Sequence, residues 1–304
     1  MTRSVSEPRG VETPLLGAIE SGGTKCVLAV GHGAGAILAR HTIPTTRPDE
    51  TLTAAQAWFG SQGDIAALGI GSFGPVELDR ASPRWGHIGD TPKPGWAGCD
   101  IAGTMGAALR CPVGFDTDVN AAALAEYALG AGKGAGSLAY VTVGTGIGGG
   151  LVIDGRVVHG AGHPEMGHII PRRLPHDSDF AGNCPFHGDC LEGLASGPAI
   201  LARWGATLSQ LQQDHPAHSY VAGYLAQLCH TLLASVAVET IVLGGGVMQT
   251  PGLLDAVRLA ALELGADYLP GRSLHKILAP ALGTDSGICG ALLLAERAHE
   301  GECH

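Results

Sequence analysis

The chain carries little charge and has no basic run. Charged residues make up 15% of its 304 residues, and the formal net charge is -10 at pH 7. A groove that binds nucleic acid neutralises the phosphates with clustered Lys and Arg side chains. The composition therefore argues against a nucleic-acid partner.

The N-terminus lacks the apolar core of a secretory signal. It reads MTRSVSEPRGVETPLL, and we expect residues 1–14 to form a polar, disordered extension. The chain has eight cysteines, of which only Cys184 and Cys190 have metal-like spacing. These features favour a reducing, cytoplasmic location over a disulfide framework.

One uncharged run, residues 134–153, is long enough to cross a membrane. It contains seven glycines, and its LAYVTV stretch alternates in polarity. This pattern is typical of a strand, a glycine turn and a second strand. We therefore expect no membrane span.

Glycine is abundant, with 48 residues. In a chain without short repeats, this abundance indicates tight turns and backbone that lies close to a ligand. Apolar strands such as LLGAIE and TIVLGGGV mix with helical stretches such as VNAAALAEYALG and LASGPAILARW, the latter predicted as one helix. Hairpins mixed with βα units predict an α/β protein.

A strand, a Gly/Thr turn and a returning strand occur at residues 19–30 and again at residues 141–153. Two halves that begin alike predict a duplicated fold with a cleft between two lobes. The predicted division is a smaller lobe at 15–115, which the C-terminal helix near 284–298 packs against, and a larger lobe at 116–283 with an insertion at 163–192.

Three glycine turns are candidates for phosphate or nucleotide binding. A hairpin tip of Gly and Thr exposes N–H groups to a phosphate, and a strand that runs into three glycines lets the backbone approach adenine or ribose. The candidate residues are Gly22, Gly23, Thr24 and Lys25, then Gly144, Thr145 and Gly146, and finally Gly244, Gly245 and Gly246. Glu20 is placed to hold a hydrated Mg²⁺, although a plain hairpin with a solvated acid is the alternative.

An acidic segment, Asp116-Thr117-Asp118-Val119-Asn120, lies at a predicted strand-to-helix junction. One of these residues is expected to cap the helix. Asp118 is the candidate general base, Asp116 is the competing candidate, and Asn120 is the candidate for a hydrogen bond to a substrate.

Cys184-x-x-His187-x-x-Cys190 has the residue types and the spacing of a zinc site. An upstream histidine, His163, His168 or His176, can supply a fourth ligand. Two reduced cysteines in a loop are the alternative. Glu165 and Glu192 lie beside the histidine and cysteine positions, so a metal here would fix a loop that carries carboxylates.

Together these motifs resemble the ROK family, in the sugar-kinase branch of the actin-like ATPases, over residues 15–298. The matching positions are the hairpins at 20–25 and 144–150, the adenosine-type motif at 243–247, Asp118-x-Asn120 before an Ala-rich helix, Glu165-x-Gly-His168 and Cys190-x-Glu192. The form of the Cys184–Cys190 motif is similar to the fructokinase branch, as are the Thr91-Pro-Lys-Pro-Gly-Trp96 and His163-Pro-Glu165 segments.

The resemblance implies a ribonuclease H-like fold and ATP-dependent phosphorylation of fructose at its C6 hydroxyl, with Asp118 as base. It implies sugar contacts from Asn120, Glu165, His168 and Glu192. It also implies Mg²⁺, a homodimer, and a structural zinc held by His168, Cys184, His187 and Cys190, which leaves His163 and His176 outside the site. A broader hexokinase or mannokinase and a non-catalytic sugar sensor are the alternatives.

Overall fold

The computed structural model of the protein describes residues 13–175, 177 and 179–301. Most of the predicted extension, residues 1–12, lies outside this part of the chain, and so does His176. The strands are β1 (Leu16–Ser21), β2 (Lys25–Gly31), β3 (Ile37–Pro44), β4 (Ala67–Ser72), β5 (Val113–Thr117), β6 (Ser137–Val143), β7 (Ile147–Ile153), β8 (Arg156–Val157), β9 (Thr240–Gly244) and β10 (Lys276–Leu278). The α-helices are α1 (Pro48–Gly60), α2 (Ile101–Leu109), α3 (Asp118–Ala128), α4 (Leu191–Ala195), α5 (Gly197–Trp204), α6 (Pro216–Ser235), α7 (Leu253–Gly265) and α8 (Ser286–Glu300).

The strands form two five-stranded sheets with the same connectivity. The first has the order β3-β2-β1-β4-β5 and the second the order β10-β9-β6-β7-β8. In each sheet an antiparallel hairpin, β1–β2 or β6–β7, is followed by a parallel neighbour of its first strand, β4 or β9. This correspondence confirms the predicted duplicated, two-lobed α/β fold.

Helices α3 and α8 pack against each other between the two sheets. Helix α8 also contacts β1, β4 and β5, and α3 also contacts β6 and β7. Glycines permit this close approach, because a Cβ atom at Gly69 would overlap the backbone of Ala291, and one at Gly290 would overlap the backbone of Ala121. Part of the glycine content thus serves packing between elements rather than turns or ligand contact.

The predicted single helix at LASGPAILARW is two helices, α4 and α5. The break falls at Ser196, whose side chain accepts a hydrogen bond from the Ala199 N–H and caps α5. Pro198 in the first turn of α5 has no N–H to donate, so it suits a helix start and disfavours a continuous helix. Among the described residues, no helix combines the length and apolar character that a membrane crossing requires.

Candidate active site

Asp118 begins α3, directly after β5. Thr117 caps the helix, since its Oγ1 accepts a hydrogen bond from the Asn120 N–H at 3.0 Å. Within the segment Asp116–Asn120, the capping role thus falls to the threonine. One Asp118 oxygen accepts a hydrogen bond from the Val119 N–H at 2.9 Å.

Two large cavities meet at the start of α3. The larger cavity, of about 900 Å³, lies between the lobes, and the smaller cavity, of about 640 Å³, lies beside the glycines that follow β9. Asp118, Val119 and Thr142 line both cavities. A carboxylate at this junction can reach a molecule bound in either cavity.

The Asp118 carboxyl group has a pKa of about 7, well above its ordinary value. Burial is the main cause, and the negative charges of Glu20 and Glu165 add to it. Burial disfavours the ionised form, and a like charge nearby disfavours it further. A carboxylate with a pKa near neutrality is well suited to accept a proton at physiological pH.

Asp116 and Asn120 lie behind Asp118 and line neither cavity. Asp116 accepts a hydrogen bond from the Asn120 side-chain amide at 2.6 Å and lies 2.9 Å from Nε2 of His159. This contact with Asp116 raises the pKa of His159. Asn120 is fully buried, and its Oδ1 has no hydrogen-bond partner. The structure therefore distinguishes the two candidate bases, because only Asp118 adjoins the cavities.

The larger cavity brings together three of the predicted sugar-binding residues, Glu165, His168 and Glu192. His168 belongs to a short 3-10 helix, Met166–His168, and Glu192 lies in the first turn of α4. From the first lobe, Asp90 and Thr91 line the opposite side. Sequence reasoning assigned no role to these two residues, although Thr91 begins one of the motifs that carried the resemblance.

Glu192 also supports the second glycine turn. Its Oε2 accepts a hydrogen bond from the Ile147 N–H at 2.9 Å. A Cβ atom at Gly146 would come within 2.7 Å of the same oxygen. Gly144, Thr145 and Gly146 all line the larger cavity. One carboxylate thus fixes the turn while it faces the cavity.

Four potential metal ligands, His168, Cys184, His187 and Cys190, come together beside the larger cavity, and their ligand atoms lie within 4.8 Å of one another. Nδ1 of His168 lies 3.5 Å from Sγ of Cys190 and 3.9 Å from Sγ of Cys184, and Nδ1 of His187 lies 3.8 Å from the latter. Ligands of a tetrahedral zinc are separated by about 3.3–3.8 Å, so the group has the size and the chemistry of a zinc site.

The smaller cavity is lined by Glu20, Lys25 and the three glycines Gly244, Gly245 and Gly246. Gly245 has φ 91°, and a Cβ atom there would lie 2.4 Å from the Val143 carbonyl oxygen. Only glycine fits this position. Burial raises the pKa of Glu20, whereas the charges of Lys25 and Arg40 oppose the rise.

The first hairpin tip is held by Lys93, a residue of the Thr91–Trp96 motif to which the sequence reasoning assigned no role. The Lys93 ammonium donates hydrogen bonds to the carbonyl oxygens of Gly23 and Thr45 at 2.6 and 2.9 Å. Gly23 lines the larger cavity, whereas Gly22 and Thr24 line neither cavity. Lys93 therefore stabilises the turn between β1 and β2.

Glu126 on α3 is a second residue missed by the sequence reasoning. It is fully buried, and its carboxylate accepts hydrogen bonds from Ser286 Oγ and from the N–H groups of Ala131, Ala281 and Leu282, at 2.7 to 3.0 Å. The segment before α8 forms part of the smaller cavity. In the sequence, Glu126 is marked only as an acid within an alanine-rich helix.

The sequence matches the family described as "ROK family" over residues 16–298. It is 47% identical to the fructokinase of Zymomonas mobilis over 289 residues, which cover 92% of this chain and 96% of that protein. It is 42% identical to the fructokinase of Pediococcus pentosaceus over 287 residues, which cover 93% and 98%. The solved ROK hexokinase of Thermus thermophilus has a TM-score of 0.77 at 27% identity and covers 94% of this chain and 99% of its own.

Proposed function

The chain belongs to the ROK family, and we propose on that premise that it is a fructokinase, which transfers the γ-phosphoryl group of ATP to the C6 hydroxyl of fructose. Fructokinases are similar to it over more than nine tenths of its length. The observation that carries the proposal is the position of Asp118 where the two cavities meet. In this assignment fructose occupies the larger cavity and ATP the smaller one.

Asp118 acts as the general base. Its carboxylate accepts the proton of the C6 hydroxyl as that oxygen attacks the γ-phosphorus in line with the departing ADP oxygen. The raised pKa of about 7 matches this role, because a base of this strength is partly ionised at neutral pH and holds the proton readily.

Glu165, His168 and Glu192 bind the sugar hydroxyl groups in the larger cavity. Since Nδ1 of His168 faces the two thiols, its Nε2 is the nitrogen left for the sugar. Asn120 is buried against Asp116, so this geometry supports an indirect role for it, namely to hold the start of α3.

Glu20 and Lys25 serve the phosphate groups, and Gly244–Gly246 let the backbone approach the adenosine. Glu20 and Asp118 both line the smaller cavity, and the negative charge of Glu20 contributes to the raised pKa of Asp118. These two carboxylates would attract a divalent cation, and Glu20 would hold it. Mg²⁺ at this position supplies charge neutralisation for the phosphates.

The group His168, Cys184, His187 and Cys190 would hold a structural zinc. Four protein ligands complete a tetrahedral shell and leave no open position for a substrate. We also infer a cytoplasmic location, where ATP is available and cysteines stay reduced, and a homodimer, which sedimentation of the purified protein would test.

The test is an ADP-release assay with fructose, followed by NMR of the product. We expect ADP to appear with fructose and the phosphorus to couple to the C6 protons of the sugar. A product phosphorylated at another carbon would contradict the placement of C6 beside Asp118. Absence of turnover with any hexose would point instead to a sugar-sensing protein.

A further inference from the structure

His163 has a nearly buried side chain in the wall of the larger cavity. Its side chain is 8% exposed, and it lies beside Gly74, where a Cβ atom would come within 3.6 Å of the imidazole ring. It stands in the motif that supplies Glu165, but it is not part of the proposed zinc site. Neither the proposed chemistry nor the metal accounts for a polar ring at this position.

The two ring nitrogens of His163 contact different lobes. Nε2 accepts a hydrogen bond from the backbone N–H of Val76 at 3.2 Å. Nδ1 lies 3.3 Å from Oε1 of Glu165. Val76 follows β4 in the first lobe, whereas His163 and Glu165 follow β8 in the second.

The Val76 contact fixes the proton on the ring. Nε2 must be unprotonated to accept a hydrogen bond, so the neutral ring carries its hydrogen on Nδ1. Nδ1 is the ring nitrogen nearest the Glu165 carboxylate, and the Glu165 side chain is 50% exposed. Each ring nitrogen thus has its own partner. Because Nε2 accepts the Val76 N–H, the protonated nitrogen is Nδ1, which is the one beside Glu165.

We propose that His163 is a positioning residue that couples the docking of the Gly74–Val76 loop to the orientation of the Glu165 carboxylate. The inference deepens the proposed function and rests on it, since Glu165 binds fructose in that account. When the first lobe closes on the sugar, Val76 engages Nε2, and Nδ1–H holds Glu165 in its sugar-binding orientation. When the lobes separate, the Val76 contact is lost, the His163 ring is free to turn, and the Glu165 carboxylate loses a fixed partner.

Two amide substitutions separate the two contacts. In His163→Asn the amide reaches only to the Nδ1 position, so it keeps a donor for Glu165 and loses Val76. In His163→Gln the amide reaches the Nε2 position, so it keeps an acceptor for Val76 and loses Glu165. We expect His163→Gln to raise the KM for fructose by about tenfold, the usual effect of one lost hydrogen bond to a charged group, and His163→Asn to raise it by a smaller factor, with the KM for ATP unchanged in both.

The Glu165→Ala background distinguishes positioning from packing. If His163 acts through Glu165, adding His163→Gln to Glu165→Ala leaves the KM for fructose where the single Glu165 variant has it. An independent, additive effect would overturn the inference. A rise in the KM for ATP together with a fall in the melting temperature would also overturn it, because these changes indicate a general packing role.

His32→Gln is the matched control. Nδ1 of His32 lies 3.1 Å from the Pro14 carbonyl oxygen, and His32 lines neither cavity. Its KM values should equal those of the wild type. If the wild type phosphorylates fructose and the His163 variants match it, the inference fails and the proposed function stands. If the wild type does not turn over fructose, both fail.

Discussion

Asp116 and Asp118 are two positions apart and have opposite surroundings. Asp116 is engaged by Asn120 and His159, whereas Asp118 has one backbone partner and adjoins both cavities. The two acids differ because the chain changes from strand to helix between them. Side-chain contacts hold Asp116 in place, whereas Asp118, with only a backbone partner, keeps its carboxylate open to the cavities.

Asp118→Asn should lower kcat for fructose by at least a hundredfold, since a positioned general base contributes about 10²–10⁴ to the rate. The KM values should change little, because the amide has the same shape. Asp116→Asn is the control and should keep kcat within about threefold. Equal losses in the two variants would show that the segment matters only for structure.

Asp118→Asn should also stabilise the folded protein at high pH. The folded-state pKa of Asp118, about 7, lies above its unfolded value. Its contribution to stability is therefore complete below the unfolded pKa of about 4 and is lost as the pH rises through about 7. The melting temperature of Asp118→Asn should exceed that of the wild type by more at about pH 8 than at about pH 5. A gap that shrinks with pH would contradict the raised pKa.

Among individual residues, the sequence predicted Asp118 as the general base but did not exclude Asp116. Alternation along a strand predicts that residues two apart share a face. That rule ends where the helix begins, so only coordinates could separate the two acids. The sequence offered His163 only as a possible zinc ligand, because its contact Val76 is 87 residues away in the chain.

Among the elements, the segment that carries the four proposed zinc ligands also forms part of the wall of the larger cavity. Cys190→Ser should remove the zinc and raise the KM for fructose severalfold, because His168 and Glu192 lose their fixed positions. The KM for ATP should not change. Elemental analysis should find about one zinc per wild-type chain and almost none in the variant.

Cys229→Ser is the control for the metal experiment, because Cys229 is a buried thiol of α6 outside the group of four. It should retain its zinc. Wild-type protein purified without chelators and found free of zinc would remove the metal from the account, and zinc retained by Cys190→Ser would remove Cys190 from the site.

Glu126 joins α3 to the segment that borders the smaller cavity. Glu126→Gln places an amide donor against buried N–H groups, so the free energy of unfolding should fall by about 1–3 kcal/mol. The KM for ATP should rise and the KM for fructose should not. Glu239, which accepts a hydrogen bond from the Gly136 N–H and lines neither cavity, provides the control Glu239→Gln, whose KM values should remain those of the wild type.

The sequence predicted both hairpins and the helix α3, because hydrophobic periodicity and glycine turns are local signals. It did not separate α4 from α5, since Ser196 and Pro198 sit inside an apolar run with helical character. It also gave Glu126 no role. The partners of that carboxylate lie up to 160 residues away, beyond any local pattern.

For the whole molecule, the repeated hairpin was sufficient to predict the duplication, because each copy begins a sheet of the same strand order. The packing of the helices between the sheets was not predictable in this way. Gly69 lies within β4 and Gly290 within α8, where they admit the backbones of Ala291 and Ala121. No local sequence pattern marks a close approach between elements that are far apart in the chain.

Residues of both lobes line the cavity that we propose for the sugar. Asp90 and Thr91 come from one lobe, and Glu165, His168 and Glu192 come from the other. A site built to hydrogen-bond particular hydroxyl groups discriminates strongly against a sugar that leaves its polar groups unpaired. Specificity should therefore depend on both walls of the larger cavity.

The most direct test is a side-by-side measurement of kcat/KM for fructose, mannose and glucose under the same conditions with saturating ATP. We expect the value for fructose to exceed the other two by at least about tenfold, which corresponds to about 1.4 kcal/mol of discrimination in the transition state. Values for mannose or glucose that equal or exceed that for fructose would contradict the assignment.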